Sequence, residues 1–105
     1  MGDWLNQLRE WVRGIPARIR IAAVRRLQRQ VEQRQRNIES AQRDLESRMR
    51  QWETEKDPVE KARLEDDAAA FKRRIQQNEN RVSKLEERLR ELDPDGSIRR
   101  SLSGG

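Results

Sequence analysis

The sequence predicts an all-α protein with a short N-terminal amphipathic helix, a long antiparallel two-helix coiled-coil hairpin and a disordered C-terminal tail. Three observations predict this fold class. Ala, Leu, Glu, Gln, Arg and Lys dominate the 105 residues, a composition typical of long helices and coiled coils. Apolar residues recur at helical spacing over most of the chain. Charged residues make up 41% of the chain, but both signs are interspersed, which argues against simple disorder.

Residues 1–15 are predicted to form an amphipathic anchor helix. At 100° per residue, its apolar side chains cover an arc of about 120°. These side chains are Trp4, Leu5, Leu8, Trp11, Val12 and Ile15. Asp3 is a suitable N-cap, and Gly14 and Pro16 mark the end of the helix. A helix of about eleven residues is only marginally stable alone in water.

Residues 16–56 are predicted to form the first arm of the hairpin. Pro16 suits the first turn of a helix, because its fixed backbone angle is already helical. A seven-residue apolar repeat then runs along the arm. Its members are Val24, Val31, Ile38, Leu45 and Trp52. Leu27, Ala41 and Met49 widen this stripe, and Arg34 and Arg48 interrupt it.

Residues 58–92 carry the cleaner heptad pattern and are predicted to form the second arm. Its seam residues alternate at spacings of four and three, which is typical of a coiled coil. They are Leu64, Ala68, Phe71, Ile75, Val82, Leu85, Leu89 and Leu92. Asn78 is the polar residue in this series. We interpret it either as a hydrated seam position or as a residue that fixes the register of the helices or the choice of partner.

The segment between the arms predicts a tight reversal at residue 57. Asp57 is placed to cap the second helix, Pro58 to occupy its first position, and Glu60 to complete a capping box. An antiparallel hairpin follows, with a single kinked helix as the alternative. Beyond the hairpin, the Asp93-Pro94-Asp95-Gly96 stretch is a helix stop, and residues 93–105 are predicted to be a flexible tail.

Several classes of function are excluded by residue types that the sequence lacks. The chain contains no Cys and no His, so a zinc site of nitrogen and sulfur ligands, a Cys nucleophile and a His general base are ruled out. Its neighbouring carboxylates, such as Asp66 and Asp67, do not converge on one helix face. We therefore expect a protein that is not an enzyme, with no catalytic residue, metal ligand or cofactor.

Positive charge is concentrated in the first third of the chain. Residues 1–36 hold nine arginines against three acidic residues, whereas residues 57–105 hold eleven basic and eleven acidic residues. The same third contains the aromatic amphipathic stripe. A helix with Trp and Leu on one side and Arg on its flanks suits an anionic bilayer interface.

Positive charge and an aromatic amphipathic stripe in the same third of the chain predict binding to an anionic membrane surface. Trp4, Leu5, Leu8, Trp11, Val12 and Ile15 are the predicted inserting residues. The predicted headgroup-binding residues are Arg9, Arg13, Arg18, Arg20, Arg25, Arg26 and Arg29. Ile19, Ile21 and Val24 are expected to prolong the contact beyond Pro16. The longest apolar run, Ile21 to Val24, is too short to span a bilayer, so we expect a cytoplasmic protein that is peripheral on the membrane.

Two other partners remain open on the sequence. The Trp-containing stripe suits docking on a protein, as in a coiled-coil scaffold or adaptor such as a phage assembly scaffold. The Arg-rich residues 18–36 suit non-specific, salt-dependent binding of nucleic acid. Against this, a helix that lies in a nucleic-acid groove has no use for the apolar side chains of Ile19, Ile21 and Val24. Because a two-helix hairpin has one interface and no second layer, we also expect a homo-oligomer.

The order of elements resembles one known group of proteins. A short amphipathic helix opening Met1-Gly2-Asp3-Trp4-Leu5, a Pro-started basic helix and a long hairpin around Asp57-Pro58 are similar in layout to the phage-shock protein A and ESCRT-III superfamily. The resemblance covers residues 1–92 and implies subunits that polymerise and remodel membranes. The later helices that lock neighbouring subunits in that superfamily have no counterpart in this sequence.

Overall fold

The computed structural model describes residues 3–4, 6–7, 10 and 14–103. Within these ranges the chain is all-helical and contains no strand. Helix α1 spans Ala17–Thr54, α2 spans Pro58–Leu92 and α3 spans Ser97–Ser103. The two long helices pack against each other as a hairpin, so the predicted all-α class and helical hairpin are confirmed.

The reversal between the long helices is stabilised by two carboxylates. Asp57 Oδ1 accepts the amide of Val59 at 3.0 Å, as an N-cap residue does at the start of a helix. The amide of Asp57 donates to Glu55 Oε1 at 3.1 Å, in the place where we expected Glu60. The N-cap prediction for Asp57 is therefore confirmed, while the second half of the capping box is formed by Glu55.

The chain divides into two compact units, and the first contains both ends of the sequence, Met1–Val31 and Ser83–Gly105. Its buried apolar residues are Val24, Leu27 and Leu89. Val31, Leu85, Leu92, Ile98 and Leu102 pack against this cluster and are partly buried. The seam residues predicted for this unit thus lie in its core.

The second unit is Glu32–Val82 and contains the reversal. Ala41 and Leu64 are its buried apolar residues. The other seam residues predicted here are half-buried: Ile38, Leu45, Phe71, Ile75 and Val82. Trp52 differs from them, because 38% of its surface is exposed.

The flexible tail predicted for residues 93–105 is not confirmed and requires correction. Residues Ser97–Ser103 form helix α3, and two of its side chains, Ile98 and Leu102, pack on the core of the first unit. Gly96 makes the bend possible, because its φ of 72° lies in the left-handed region that favours glycine. The terminal Gly104 and Gly105 lie outside the described residues.

The amphipathic anchor helix falls largely outside the described part of the chain. Leu5, Leu8, Arg9, Trp11, Val12 and Arg13 lie outside the described residues. The described members of this segment with helical backbone are Asp3, Trp4, Asn6, Gln7, Glu10 and Gly14. Trp4 is 61% exposed and Ile15 is half-buried. The amphipathic arrangement itself stays a prediction.

Candidate functional site

Four arginines near the start of α1 form an exposed basic surface, which we call the arginine face. It consists of Arg18, Arg25, Arg26 and Arg29, all of them exposed. At 100° per residue, these four positions cover an arc of about 100°. Arg18 lies nearly opposite Leu27, which is buried in the core. Packing of α1 through its apolar side therefore directs this surface toward solvent.

Within residues 3–4, 6–7, 10 and 14–103, which the structure describes, no acidic side chain forms an ion pair with the arginine face. Among the described residues, the ion pairs are Arg48 with Asp67, Arg50 with Glu46, and Arg99 with Asp93. None of these involves the arginine face. Like charges four residues apart, as at Arg25 and Arg29, destabilise a helix by about 0.2–0.5 kcal/mol. A bound anion relieves this repulsion, so the surface is chemically suited to an anionic partner.

Apolar side chains border the arginine face on both sides. Ile19 is 57% exposed and Ile21 is 40% exposed, and they lie at the two margins of the basic arc. Val24 is fully buried, so the expectation that it prolongs this contact is wrong. It points into the core because it lies on the side of α1 that packs against Leu89. The surface combines exposed cations with exposed aliphatic groups.

Arg20 occupies a different place from the other predicted headgroup-binding arginines. Its side chain is half-buried and lines a groove of about 420 Å³ in the first unit. Ile21, Leu92, Pro94 and Ile98 supply the apolar walls of this groove. Asp93 and Asp95 also line the groove, so Arg20 lies in a locally acidic setting.

Asp93 organises the connection between α2 and α3. Its side chain is almost fully buried and accepts the amides of Ile98 and Arg99 at 3.1 and 3.0 Å. Arg99 Nε donates to Asp93 Oδ2 at 3.0 Å. Burial acts to raise the pKa of Asp93, but these amides and the guanidinium outweigh it, so the pKa lies below its ordinary value. The amide and hydroxyl of Ser97 likewise lower the pKa of exposed Asp95.

The second unit contains a buried polar pair across the hairpin. Asn78 is 6% exposed, and its Oδ1 accepts Arg34 Nη1 at 3.2 Å. Asn78 Nδ2 donates to the carbonyl of Arg74 at 2.9 Å. The amide group of Asn78 thus has a partner on each arm. The direct bond to Arg34 on the other arm favours the register interpretation of Asn78.

A second groove, of about 390 Å³, lies in the second unit, and we call it the Met49–Trp52 groove. Its apolar lining consists of Met49, Trp52, Leu64, Ala68 and Ala69. Its charged lining consists of Arg48, Glu53, Glu65 and Lys72. Sequence reasoning placed Trp52 in the hairpin seam and gave Met49 a minor position there. No local signal in the sequence marks their exposure, because periodicity gives a helix face and not the extent to which a neighbour covers it.

Comparison of the chain with protein-family models, with curated proteins and with solved structures gave no match. None of the helices in the described part of the chain combines the length and the apolar content that a bilayer crossing needs. The described residues also contain no group of three or more acidic side chains arranged to hold a metal ion.

Proposed function

We propose that this protein is a non-enzymatic, self-associating helical hairpin that binds anionic membrane surfaces peripherally. The observation that carries the proposal is the arginine face bordered by exposed Ile19 and Ile21. Arginines near an anionic surface contribute up to about 1 kcal/mol each. Aliphatic side chains beside them gain free energy by entering the boundary between headgroups and acyl chains.

The N-terminal segment supplies the insertion in this proposal. Trp4 is strongly exposed, and an indole at headgroup depth is favourable for a peripheral anchor. The inserting residues are Trp4, Leu5, Leu8, Trp11, Val12 and Ile15. Arg9 and Arg13 join the arginine face in holding headgroups. Arg20 contributes less than the others, since its half-buried side chain lines a groove with Asp93 and Asp95.

Self-association strengthens such an anchor. One short helix and a few arginines bind weakly, whereas several linked copies bind in effect as one multivalent ligand. A layer of copies would also insert many wedges into one leaflet, which favours curvature. Membrane remodelling by a coat of this kind is the activity that the layout resemblance to the phage-shock protein A and ESCRT-III superfamily implies, on the cytoplasmic face of a membrane.

Vesicle flotation tests the membrane part of the proposal. The purified chain should float with anionic vesicles and not with neutral ones, and binding should weaken as salt rises. Replacing three members of the arginine face (Arg25→Gln, Arg26→Gln and Arg29→Gln) should remove up to about 3 kcal/mol, or about 100-fold in affinity. A matched control replaces three exposed arginines of α2 and has the same net charge: Arg73→Gln, Arg81→Gln and Arg88→Gln. Equal losses in both variants would contradict a dedicated face.

Leu8→Glu separates membrane insertion from the alternatives. It should abolish flotation while circular dichroism still reports a folded hairpin. If the variant instead changes oligomer size in the absence of lipid, the stripe docks on protein, as in the scaffold or adaptor alternative. If the chain binds nucleic acid in a salt-dependent way that ignores Trp4→Ala, the third alternative is favoured. The exposed isoleucines beside the arginine face argue against that last outcome, because phosphates offer them no apolar contact.

A further inference from the structure

We infer that the Met49–Trp52 groove is the surface on which a second copy of this chain docks, in an antiparallel two-fold arrangement. The inference deepens the self-association in the proposed function and rests on it, but it is independent of lipid. Two side chains make this groove unusual in the second unit. Met49 is 50% exposed and Trp52 is 38% exposed, although both lie beside the packed face of α1.

The floor of the groove suits a second helix. Leu64 is buried beneath it, and Ala68 and Ala69 line it with small side chains. Small residues at a helix contact allow the axes to approach toward the short end of the usual 8–10 Å range. At the edges of the groove, the flexible thioether of Met49 provides an adaptable apolar contact. The large indole of Trp52 provides a rigid one. Both types of residue are enriched in protein interfaces.

Trp52 is held in place before any partner arrives. Its Nε1 donates to Glu65 Oε1 at 3.0 Å. Lys61 Nζ lies 4.4 Å from the centroid of the ring, within the range of a cation–π interaction. An indole fixed in this way loses little side-chain freedom on docking, and a preorganised surface binds with a smaller entropic cost.

The charges around the groove select the orientation of the partner. Glu53 lies on the turn side of the apolar lining in α1, and Lys72 lies on the side away from the turn in α2. Among the described residues, neither of them takes part in an ion pair. Glu65 and Arg48 repeat the same polarity, although each already has a partner within the chain, Trp52 and Asp67 respectively.

This polarity makes the groove complementary to itself. Glu65 and Lys72 are seven residues apart on α2, which corresponds to about 10 Å along the helix. A two-fold axis across the groove sets the acidic end of one copy against the basic end of the other. A parallel arrangement would instead bring like charges together, which is unfavourable. An isologous dimer of this type uses one patch twice, so one groove on each copy is sufficient.

Sedimentation of the full-length chain without lipid tests the groove. Met49→Lys should weaken dimerisation by at least about tenfold, equivalent to about 1.4 kcal/mol. Val59→Lys is the matched control, because Val59 is 74% exposed, belongs to the same unit and does not line the groove. It should leave the dimer unchanged. Circular dichroism and thermal unfolding of both variants establish that the hairpin is still formed.

Charge exchange tests the two-fold orientation. Glu53→Lys alone should weaken the dimer, and Glu53→Lys combined with Arg48→Glu should restore it, because an axis across the groove sets these two positions of α1 against each other in the two copies. Single cysteines give a second test, since the chain has no cysteine of its own. Ala69→Cys, near the proposed axis, should form a disulfide-linked dimer on mild oxidation. Ala70→Cys, which is exposed outside the groove, should not.

The results separate the inference from the proposed function. A wild-type chain that stays monomeric at every concentration overturns both the groove assignment and the self-association. A wild-type oligomer that Met49→Lys and Ala69→Cys leave unaffected overturns the groove assignment alone. Restoration by the double charge exchange, together with cross-linking at position 69 only, establishes the antiparallel dimer. Flotation with the arginine-face variants reports on membrane binding independently of these tests of the dimer.

Discussion

Asn78 places a hydrogen-bonded polar side chain in the seam of the hairpin, which favours the interpretation that it fixes the register. Its side chain is buried, accepts a hydrogen bond from Arg34 and donates one to the carbonyl of Arg74. A shift of one arm along the other would separate the Asn78 and Arg34 side chains and leave buried polar groups without partners. Such a loss is more costly than the net gain from forming the bond, so the pair disfavours alternative registers.

Replacing one member of this pair should destabilise the hairpin more than replacing both. We expect Asn78→Leu to lower the free energy of unfolding by about 1–2 kcal/mol, because the half-buried Arg34 guanidinium then faces an apolar side chain. Arg34→Leu together with Asn78→Leu should recover most of this loss, since an all-apolar seam needs no polar partner. Urea denaturation of the wild type, both single variants and the double variant measures the coupling. Additive effects would show that the two residues do not act as a pair.

Asp93 is the other residue whose chemistry shapes the fold. Its carboxylate receives two amides and the Arg99 guanidinium, and these lower its pKa despite burial. A carboxyl whose folded pKa lies below its unfolded value stabilises the folded state above the unfolded pKa. This stabilisation is lost as the pH falls through the folded pKa. The loss therefore begins below about pH 4, the ordinary range of an Asp side chain.

Asp93→Asn should reveal this dependence. We expect the variant to be about 1–2 kcal/mol less stable than the wild type at pH 7, because an amide is a weaker acceptor for the Arg99 guanidinium. The difference should shrink as the pH is lowered below about 4, where the wild-type carboxylate is neutralised. Urea denaturation across this pH range provides the measurement. A difference that stays constant with pH would show that the charge of Asp93 contributes nothing.

At the scale of elements, α3 depends on both its cap and its apolar side chains. Seven residues are too few for an independently stable helix. Ile98 and Leu102 pack against the cluster of Val24, Leu27 and Leu89, and Asp93 accepts the amides of Ile98 and Arg99. Ile98 and Leu102 are four residues apart, so they lie on one side of the helix. Tertiary contact therefore stabilises a segment that is too short to be helical alone.

Truncating one of these side chains should weaken the first unit. Leu102→Ala removes apolar contacts of a half-buried residue, and we expect a loss of about 1–2 kcal/mol in the free energy of unfolding. Ser101→Ala provides the control, since Ser101 is exposed in the same helix. Hydrogen exchange of the α3 amides in the same variants reports the helix directly. Unchanged protection in Leu102→Ala would argue that the cap alone holds α3.

The sequence predicts the long helices better than the segments beside them. Apolar residues repeated over four heptads and the capping carboxylate at Asp57 are local signals, and both correspond to the observed elements. The third helix has no such repeat. Its apolar residues Ile98 and Leu102 find a packing partner only where the fold brings Val24 near them. The exposure of Met49 and Trp52 is likewise a tertiary property, because periodicity gives a helix face and not the extent to which a neighbour covers it.

At the scale of the whole molecule, the two units present surfaces of different chemistry. The arginine face belongs to the first unit and carries positive charge without acidic partners among the described residues. The Met49–Trp52 groove belongs to the second unit and has balanced charges around an apolar lining. Salt weakens binding at the first surface by screening, whereas apolar contact at the second persists. Raising the salt concentration should therefore release the chain from vesicles while leaving its oligomers largely intact.

Self-association also predicts how the stability of the whole chain depends on its concentration. A dimer that forms only from folded copies shifts the unfolding equilibrium by mass action, so the melting temperature should rise with protein concentration. A tenfold weaker dimer reduces this stabilisation by up to about 1.4 kcal/mol per mole of dimer. Met49→Lys should therefore flatten the dependence, and Val59→Lys should keep it. Thermal unfolding followed by circular dichroism at several concentrations measures the slope. A melting temperature independent of concentration in the wild type would mean that the hairpin acquires its stability within a single chain, through contacts such as those of Val24 with Leu89 and of Arg34 with Asn78.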